Sequence, residues 1–301
     1  KVTDPAGSLQ LFDFTTNYGA GAFSLADGDA PNNSGPLLPT SESSTYSVVE
    51  LAVTGWDQTS AVCDDGSDPT AIDLAPGETV TCTFTNTIQR GTIIVDKVTD
   101  PAGSLQLFDF TTNYGAGAFS LADGHAPNNS GPLVPTSEAG TYSVVETPVT
   151  GWDQTSAVCD DGSDPGAIDL APGETVTCTF TNTIQPGTII VDKVTDPAGS
   201  LQSFDFVATY GNFSLADGDA PNNSGPLLPT SESSTYILVE TAVHGWDLTS
   251  ATCSDGSAPD AIDLAPGETV TCTFTNTIQR GTIIVDKVTD PAGSLQLFDF
   301  T

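Results

Sequence analysis

The sequence repeats itself with a period of 96 residues, and this repeat constrains the fold more than any other feature. Residues 1–96 and 97–192 differ at only eight positions, and residues 193–286 form a third copy that is two residues shorter. A fourth copy begins at Lys287 and continues to Thr301. A unit of this length is large enough for an independent domain and too long for a solenoid repeat, so the sequence predicts separate domains in tandem.

The boundaries between copies are predicted where Gln-Arg-Gly or Gln-Pro-Gly separates two strand-like runs, near Arg90, Pro186 and Arg280. The predicted domains cover residues 1–89 (with a truncated first strand), 90–185 and 186–279, and residues 280–301 would supply the first strands of a further domain. Linkers of two or three residues favour a rod-like array of closely coupled domains. Because the sequence begins and ends inside a copy and contains no methionine, we expect it to be part of a longer array.

Each copy has the composition of short strands separated by turn-forming Gly, Pro, Asn and Asp. Thr, Val, Ile and aromatic residues dominate the strand-like runs, and no window has a sustained helical period of apolar residues. About seven strands in about 95 residues are typical of an all-β sandwich, here repeated in tandem. In the second copy the predicted strands are Thr92–Val98, Leu105–Thr111, Ala118–Leu121, Thr141–Glu146, Gly151–Val158, Ala167–Leu170 and Thr175–Ile184.

Three polar residues of each copy are predicted on the apolar faces of their strands, because alternate strand residues point to opposite sides. The lysine of TIIVDKV shares its face with isoleucine and valine, the glutamate of TYSVVE with tyrosine and valine, and the asparagine of TVTCTFTNTI with valine, phenylalanine and isoleucine. Every lysine of the chain occupies this one repeat position, so we expect it to point inward. The three sets are Lys1, Glu50 and Asn86; Lys97, Glu146 and Asn182; and Lys193, Glu240 and Asn276.

A buried lysine, glutamate and asparagine can form a covalent crosslink. Burial lowers the pKa of lysine and raises that of glutamate, which favours a neutral, nucleophilic amine beside a protonated acid. The amine can then attack the side-chain carbon of asparagine, ammonia leaves, and an isopeptide bond remains while the glutamate moves the protons. Two alternatives stay open at this point: a buried Lys–Glu ion pair with Asn as a hydrogen-bond partner, and a lysine exposed to solvent.

Three segments of each copy resemble motifs of the Cna protein B-type domains, also called SpaA-like prealbumin-fold domains. GTIIVDKVTDPAG is similar to the lysine strand of that family, TYSVVETPVTGW to its glutamate motif, and VTCTFTNT to its final strand. The resemblance implies Ig-like β-sandwiches of the kind found in Gram-positive pilins and surface adhesins. It also implies a bond from the first strand to the last, assisted by the glutamate, in the pairs Lys1–Asn86, Lys97–Asn182 and Lys193–Asn276.

The six cysteines fall two per complete copy, always 19 residues apart: Cys63 and Cys82, Cys159 and Cys178, and Cys253 and Cys272. The spacing fits no zinc motif, and no histidine recurs with them. We therefore predict one disulfide per domain, with buried free thiols as the alternative. Disulfides indicate an oxidising, extracellular compartment.

The charge composition argues against several other functions. Asp and Glu number 39 against 6 Lys and Arg, giving a net charge of −33 without a basic cluster, so nucleic-acid binding is not expected. No run is long and apolar enough for a membrane helix.

Acidic segments and sequons are the remaining candidate sites. The segments around Asp65 and Asp27 lose carboxylates in other copies, and His125 and His244 have no counterparts, so we predict turns there and no metal site. Four asparagines begin glycosylation sequons: Asn32, Asn128, Asn212 and Asn222.

These features predict a structural protein that is not an enzyme and needs no cofactor. We expect a tandem-repeat segment of an extracellular fibre, filament or cell-surface stalk, in which a disulfide and an isopeptide bond stabilise each domain. The expected partners are neighbouring repeats and other copies of the chain in a filament. The alternative is the spacer region of a cell-surface adhesin whose binding domain lies outside this segment.

Overall fold

The computed structural model describes residues 1–19, 21–115 and 117–301. The chain divides into two compact units, Lys1–Ile184 and Gln185–Thr301. The first unit contains the first and second domains, and the second unit contains the third domain and the start of the fourth copy. Each domain has two small β-sheets around one apolar core, which confirms the predicted all-β domains in tandem.

The strands follow the same order in each domain. The first domain contains β1 (Val2–Asp4), β2 (Phe12–Thr16), β3 (Ala22–Leu25), β4 (Val48–Glu50), β5 (Trp56–Cys63) and β6 (Cys82–Ile88). The second contains β7 (Thr92–Asp100), β8 (Phe108–Thr112), β9 (Ala118–Leu121), β10 (Asn128–Asn129), the short helix α1 (Thr136–Ala139), β11 (Val144–Glu146), β12 (Trp152–Cys159) and β13 (Thr175–Ile184). The third contains β14 (Thr188–Asp196), β15 (Phe204–Ala208), β16 (Phe213–Leu215), β17 (Asn222–Asn223), β18 (Leu238–Glu240), β19 (Trp246–Cys253) and β20 (Thr269–Ile278).

One sheet of each domain brings the first and last strands side by side. In the second domain this sheet has the order β10-β7-β13-β12, and the facing sheet has the order β11-β8-β9. β7 pairs in parallel with β13, with Lys97 opposite Phe180 and Thr99 opposite Asn182. β12 pairs antiparallel with β13 and has a bulge between Gln154 and Ser156. The third domain repeats this arrangement in the order β17-β14-β20-β19, and the first has the order β1-β6-β5, in which the counterpart of β10 is not a strand.

The core of the second domain follows the period-two pattern of its strands. Along β13 the buried residues alternate with half-buried threonines, and β7 has the same alternation. Phe108 and Phe110 from the facing sheet complete the packing. The apolar side chains of β7 and β13 in this core are Ile93, Val95, Val176, Cys178, Phe180 and Ile184.

The predicted strands of the second domain agree in part with the structure. Ala118–Leu121 and Thr175–Ile184 are strands with the predicted bounds. The prediction of a strand over Leu105–Thr111 was wrong at its start, because Leu105 lies in a loop and is 87% exposed. Ala167–Leu170 forms only isolated bridges, and the two-residue strand β10 and helix α1 were not predicted.

Glycine at the start of the second and third domains permits a close approach of the backbone to a core leucine. A Cβ atom on Gly91 would lie 2.7 Å from Cγ of Leu170, and one on Gly187 would lie 2.6 Å from Cγ of Leu264. Within the first unit, Ser8 of the first domain donates a hydrogen bond to Glu138 of the second at 2.8 Å. The short junction at residues 89–91 therefore places two domains in direct contact.

The fourth copy contributes no strand within residues 280–301, all of which the structure describes. Its lysine, Lys287, donates to the carbonyl of Val288. Within the described ranges, no helix has the length and apolar character needed to cross a membrane.

Candidate crosslinking site

Lys97, Glu146 and Asn182 meet in the core of the second domain. Lys97 and Asn182 come from the paired strands β7 and β13, and Glu146 comes from β11 in the facing sheet. The three residues are 2%, 6% and 1% exposed, which for a lysine and a glutamate requires a specific partner. The structure therefore brings together the three polar residues that the strand pattern placed on apolar faces.

The Asn182 carboxamide bridges the amine and the acid. Lys97 Nζ donates to Asn182 Oδ1 at 2.9 Å, and also to the carbonyls of Val98 at 2.9 Å and Phe180 at 3.2 Å. Asn182 Nδ2 donates to Glu146 Oε1 at 2.5 Å. The other carboxyl oxygen, Oε2, lies 3.9 Å from Nζ and has no hydrogen-bond partner in the described part of the chain.

The first and third domains have the same constellation. Nζ of Lys1 lies 2.5 Å from Oδ1 of Asn86 and 3.6 Å from Oε2 of Glu50. Nζ of Lys193 lies 2.9 Å from Oδ1 of Asn276, and 3.8 Å from Oε2 of Glu240. In both domains the asparagine Nδ2 donates to the glutamate Oε1, at 2.5 and 2.6 Å. All three lysine side chains are at most 1% exposed.

An aromatic ring lies against each lysine amine. Nζ of Lys97 is 4.1 Å from the ring centroid of Phe108, which in turn makes an edge contact with Trp152. Phe12 and Phe204 lie 3.8 and 4.1 Å from the amines of the first and third domains. The ring excludes water from the amine while its face attracts a cation. The sequence analysis did not identify this phenylalanine, and no motif of the sequence signals its contact with the lysine.

Burial sets the charge balance of the site. It lowers the pKa of the Lys97 amine, although the neighbouring carboxylates of Glu146 and Asp123 act in the opposite direction. Burial also raises the pKa of Glu146, against the effects of Lys97 and of the Asn182 hydrogen bond. The same directions hold for the pKa values of Lys193 and Glu240. The two shifts bring the neutral amine and the neutral acid closer in free energy to the ion pair.

The predicted disulfides are present in all three domains: Cys63–Cys82, Cys159–Cys178 and Cys253–Cys272. In the second domain the disulfide joins directly opposed residues of β12 and β13. It therefore lies on the same strand and the same face as Asn182, four residues earlier. β13 is the strand that both the disulfide and the Lys–Asn contact involve.

The acidic segments make hydrogen bonds within their own turns. Asp65 accepts from Ser67, and Asp29 and His125 accept the amide of Ala26 or Ala122 at equivalent positions. Asp27 reaches farther and accepts from Thr3 and Gly7. Among the described residues, no group of three or more His, Cys, Asp or Glu side chains is arranged to hold a metal ion. Two of the sequon asparagines, Asn128 and Asn222, begin the short edge strands β10 and β17.

The chain belongs to the prealbumin-like fold domain family, whose model matches residues 1–88, 93–184 and 189–278. The resemblance noted from the lysine, glutamate and final-strand motifs is thereby confirmed. A search of curated proteins found no match.

Several solved structures are similar to the chain. The TIE protein of Bacillus anthracis is 15% identical with a TM-score of 0.44, over 92% of this chain and 49% of that one. The major pilin of Streptococcus pyogenes is 15% identical with a TM-score of 0.32, over 64% of this chain and 99% of that one. Two B repeat units of the collagen binding protein of Staphylococcus aureus are 13% identical with a TM-score of 0.31, over 93% and 72%. The chain thus spans about half the length of the Bacillus anthracis protein.

Proposed function

We propose that this chain is a structural segment of an extracellular or cell-surface fibre, and that each complete domain closes itself with a Lys–Asn isopeptide bond. The observation that carries the proposal is the buried contact between the lysine amine and the asparagine carboxamide, with a glutamate on the far side of the carboxamide. It recurs in the first and third domains. The crosslinks would be Lys1–Asn86, Lys97–Asn182 and Lys193–Asn276.

The reaction needs only the three side chains. A proton passes from Lys97 Nζ toward the unpartnered Oε2 of Glu146, leaving a neutral amine. Nζ then forms a bond to Cγ of Asn182, the adjacent bond from Cγ to Nδ2 breaks, and Nδ2 leaves as ammonia. Glu146 passes the proton it received to the leaving Nδ2 and takes a second proton from Nζ as the amide forms. This second proton leaves with the ammonia as ammonium, so Glu146 ends as the carboxylate with which it began. Because each domain reacts once, this is self-modification without turnover.

The fibre proposal draws on the repeat and on the environment that the domains require. A specific binding site does not need three nearly identical copies, whereas a linear spacer gains length from each one. The disulfides favour an oxidising compartment. The net charge of −33 favours solubility of the array and opposes lateral bundling at low salt. We infer that its partners are other copies of itself or neighbouring segments of a longer chain.

Intact mass of the 301-residue chain tests the crosslink. The mass should be lower than the sequence predicts by one ammonia for each complete domain, in addition to two hydrogens for each disulfide. Lys97→Ala and Glu146→Ala should each remove one ammonia from this deficit, because both variants act only on the second domain. Lys287→Ala is the matched control, since this lysine has no facing asparagine within its own partial copy.

A wild-type chain without the ammonia deficit would overturn the proposal and leave the Lys–Glu ion pair as the role of the site. Peptide mapping supplies a second readout, because Lys97 and Asn182 should be recovered in one branched peptide.

A further inference from the structure

An aspartate outside the sheets contacts the lysine strand in each domain. In the second domain this is Asp123, in the turn after β9. Its Oδ2 accepts from the hydroxyl of Thr99 at 2.9 Å, the amide of Thr99 at 3.3 Å and the amide of Gly103 at 2.6 Å. Asp217 makes the equivalent bonds to Thr195 and Gly199, and Asp27 contacts Thr3 and Gly7.

The threonine that this aspartate contacts is part of the crosslinking geometry. Thr99 lies two residues after Lys97 on β7 and is 3% exposed, so both side chains point into the core. In the parallel ladder Thr99 lies directly opposite Asn182. Thr195 is opposite Asn276, and Thr3 is opposite Asn86. A bond that fixes this threonine therefore fixes the strand beside the reacting asparagine.

Register decides whether the lysine can react. A slip of one residue between β7 and β13 would turn Lys97 to the outer face, away from Asn182. In the first domain Thr3 is likewise opposite Asn86, and Nζ of Lys1 lies 2.5 Å from Oδ1 of Asn86. Thr3 donates to Asp27 at 3.0 Å, as Thr99 does to Asp123 at 2.9 Å.

The aspartate is also suited to remain an anion while the glutamate takes the proton. The amide of Gly103 and the two groups of Thr99 hold the pKa of Asp123 below its ordinary value. The pKa of Glu146 is shifted upward by burial. Two carboxyl groups with opposite shifts have different tasks, one as a fixed acceptor and the other as a proton carrier.

We propose that Asp123, with its counterparts Asp27 and Asp217, is a positioning residue for the crosslink: it holds Thr99, and through Thr99 the register that places the lysine amine against asparagine. The inference rests on the proposed function, because it assumes that the crosslink forms.

The test follows crosslinking over time in the full chain. Cell-free synthesis under oxidising conditions is stopped at successive times in denaturant, and intact mass counts the ammonia and hydrogen lost. Asp123→Ala should form all three disulfides normally but lose the ammonia of the second domain roughly tenfold to a hundredfold more slowly, as expected for a misplaced reacting group. Asp123→Asn keeps an acceptor oxygen and should recover most of the rate. Asp109→Ala is the matched control, since Asp109 is exposed and bonds Ser120 on the outer face of β8.

Disulfide formation shows whether the domain has folded, because Cys178 lies on the same strand as Asn182. A variant that forms the disulfide but loses ammonia slowly is therefore impaired in positioning and not in folding. An Asp123→Ala chain that loses all its ammonia at the wild-type rate would overturn the inference while leaving the crosslink intact. The inference would also be overturned if Asp123→Asn lost ammonia as slowly as Asp123→Ala. The charge of Asp123, and not its position as an acceptor, would then control the rate. If Asp123→Ala also lost the disulfide, the deciding variant would be Thr99→Val, which replaces only the hydroxyl that donates to Asp123. Ammonia loss at the wild-type rate in Thr99→Val would overturn the inference. A wild-type chain that loses no ammonia at all overturns the proposed function itself.

Discussion

Nζ of Lys97 lies 2.9 Å from Oδ1 of Asn182, across the parallel ladder that pairs the first strand of the second domain with its last. The two residues are 85 positions apart in sequence. A bond between them would therefore close nearly the whole domain into one covalent loop.

Asn182→Ala should destabilise the second domain strongly. The variant cannot form the crosslink, yet it leaves Lys97 and Glu146 to compensate each other's charge. Closing a loop of 85 residues contributes about 4.5 kcal/mol in the chain-entropy model. At roughly 4–8 °C per kcal/mol, the Tm of this domain should fall by roughly 20–35 °C in calorimetry. Asn129→Ala, on an exposed asparagine, is the control, and a comparably small shift in both variants would contradict the prediction.

The rate of ammonia loss should depend on pH in a bell-shaped manner. The reactive form, with a neutral amine and a neutral acid, carries the same number of protons as the ion pair. Both forms are therefore populated only at pH values between the two apparent pKa values of the Lys97–Glu146 pair. At low pH the pair gains a proton and the amine stays charged. At high pH it loses one and the acid cannot donate. Because burial raises the pKa of Glu146 and lowers that of Lys97, the acidic limb should lie above 4.5 and the alkaline limb below 10.5. A rate that is constant across this range would exclude the assigned roles.

Replacing Cys159 and Cys178 together with alanine should lower stability without preventing the crosslink. The disulfide closes a loop of 19 residues, which contributes about 3 kcal/mol in the same entropy model. β13 would still pair with β7, so Asn182 should still face Lys97. Urea unfolding measures the first effect and intact mass the second. If this variant lacked the ammonia deficit of the second domain, the disulfide would have to form before the crosslink.

Gly187→Ala should destabilise the third domain, because the added methyl group would lie 2.6 Å from Cγ of Leu264. Overpacking of this kind costs about 1–3 kcal/mol. Gly281→Ala is the matched control at the equivalent position after the third domain, where nothing lies within 4 Å of the added atom. Thermal unfolding of both variants provides the comparison, and equal stability would show that the junction relaxes freely around the methyl group.

Pulling on the two ends of the chain should extend the crosslinked domains very little. If Lys97 and Asn182 are bonded, the path of tension enters the second domain on β7, crosses this bond and leaves at the end of β13, so the residues between them are not stretched. A chain with Asn86→Ala, Asn182→Ala and Asn276→Ala should instead release a length on the order of 200 Å per domain at about 3.4 Å per residue. Single-molecule force spectroscopy distinguishes the two. Steps of this length in the wild type would contradict a crosslink at this position.

The long strands and the residues of the site were predictable because they depend on local alternation. TVTCTFTNTI alternates without interruption, and the inward position of Asn182 follows from its place in that strand. Leu105 was misassigned because an apolar residue in a loop has the same local signal as one in a strand. The two-residue strand β10 is defined by its pairing with β7, which is distant in sequence.

Contacts between sheets could not be predicted in the same way. The ring of Phe108 beneath Lys97 and the bonds from Asp123 to Thr99 join segments whose spacing depends on how the two sheets pack. The repeat showed that Asp27, Asp123 and Asp217 recur, but a recurring Asp-Gly fits a turn equally well.

The disulfide on β13 has a consequence for damage to the chain. A protease that cuts once between Cys159 and Cys178 leaves the two pieces joined by the disulfide. If Lys97 and Asn182 are also joined, the same holds for a single cut anywhere from residue 98 to residue 181, which includes the exposed loop around Leu105. A domain cut once within its covalent loop would then still connect its neighbours. A single cleavage would break the array only in the short segments between the covalent loops of neighbouring domains.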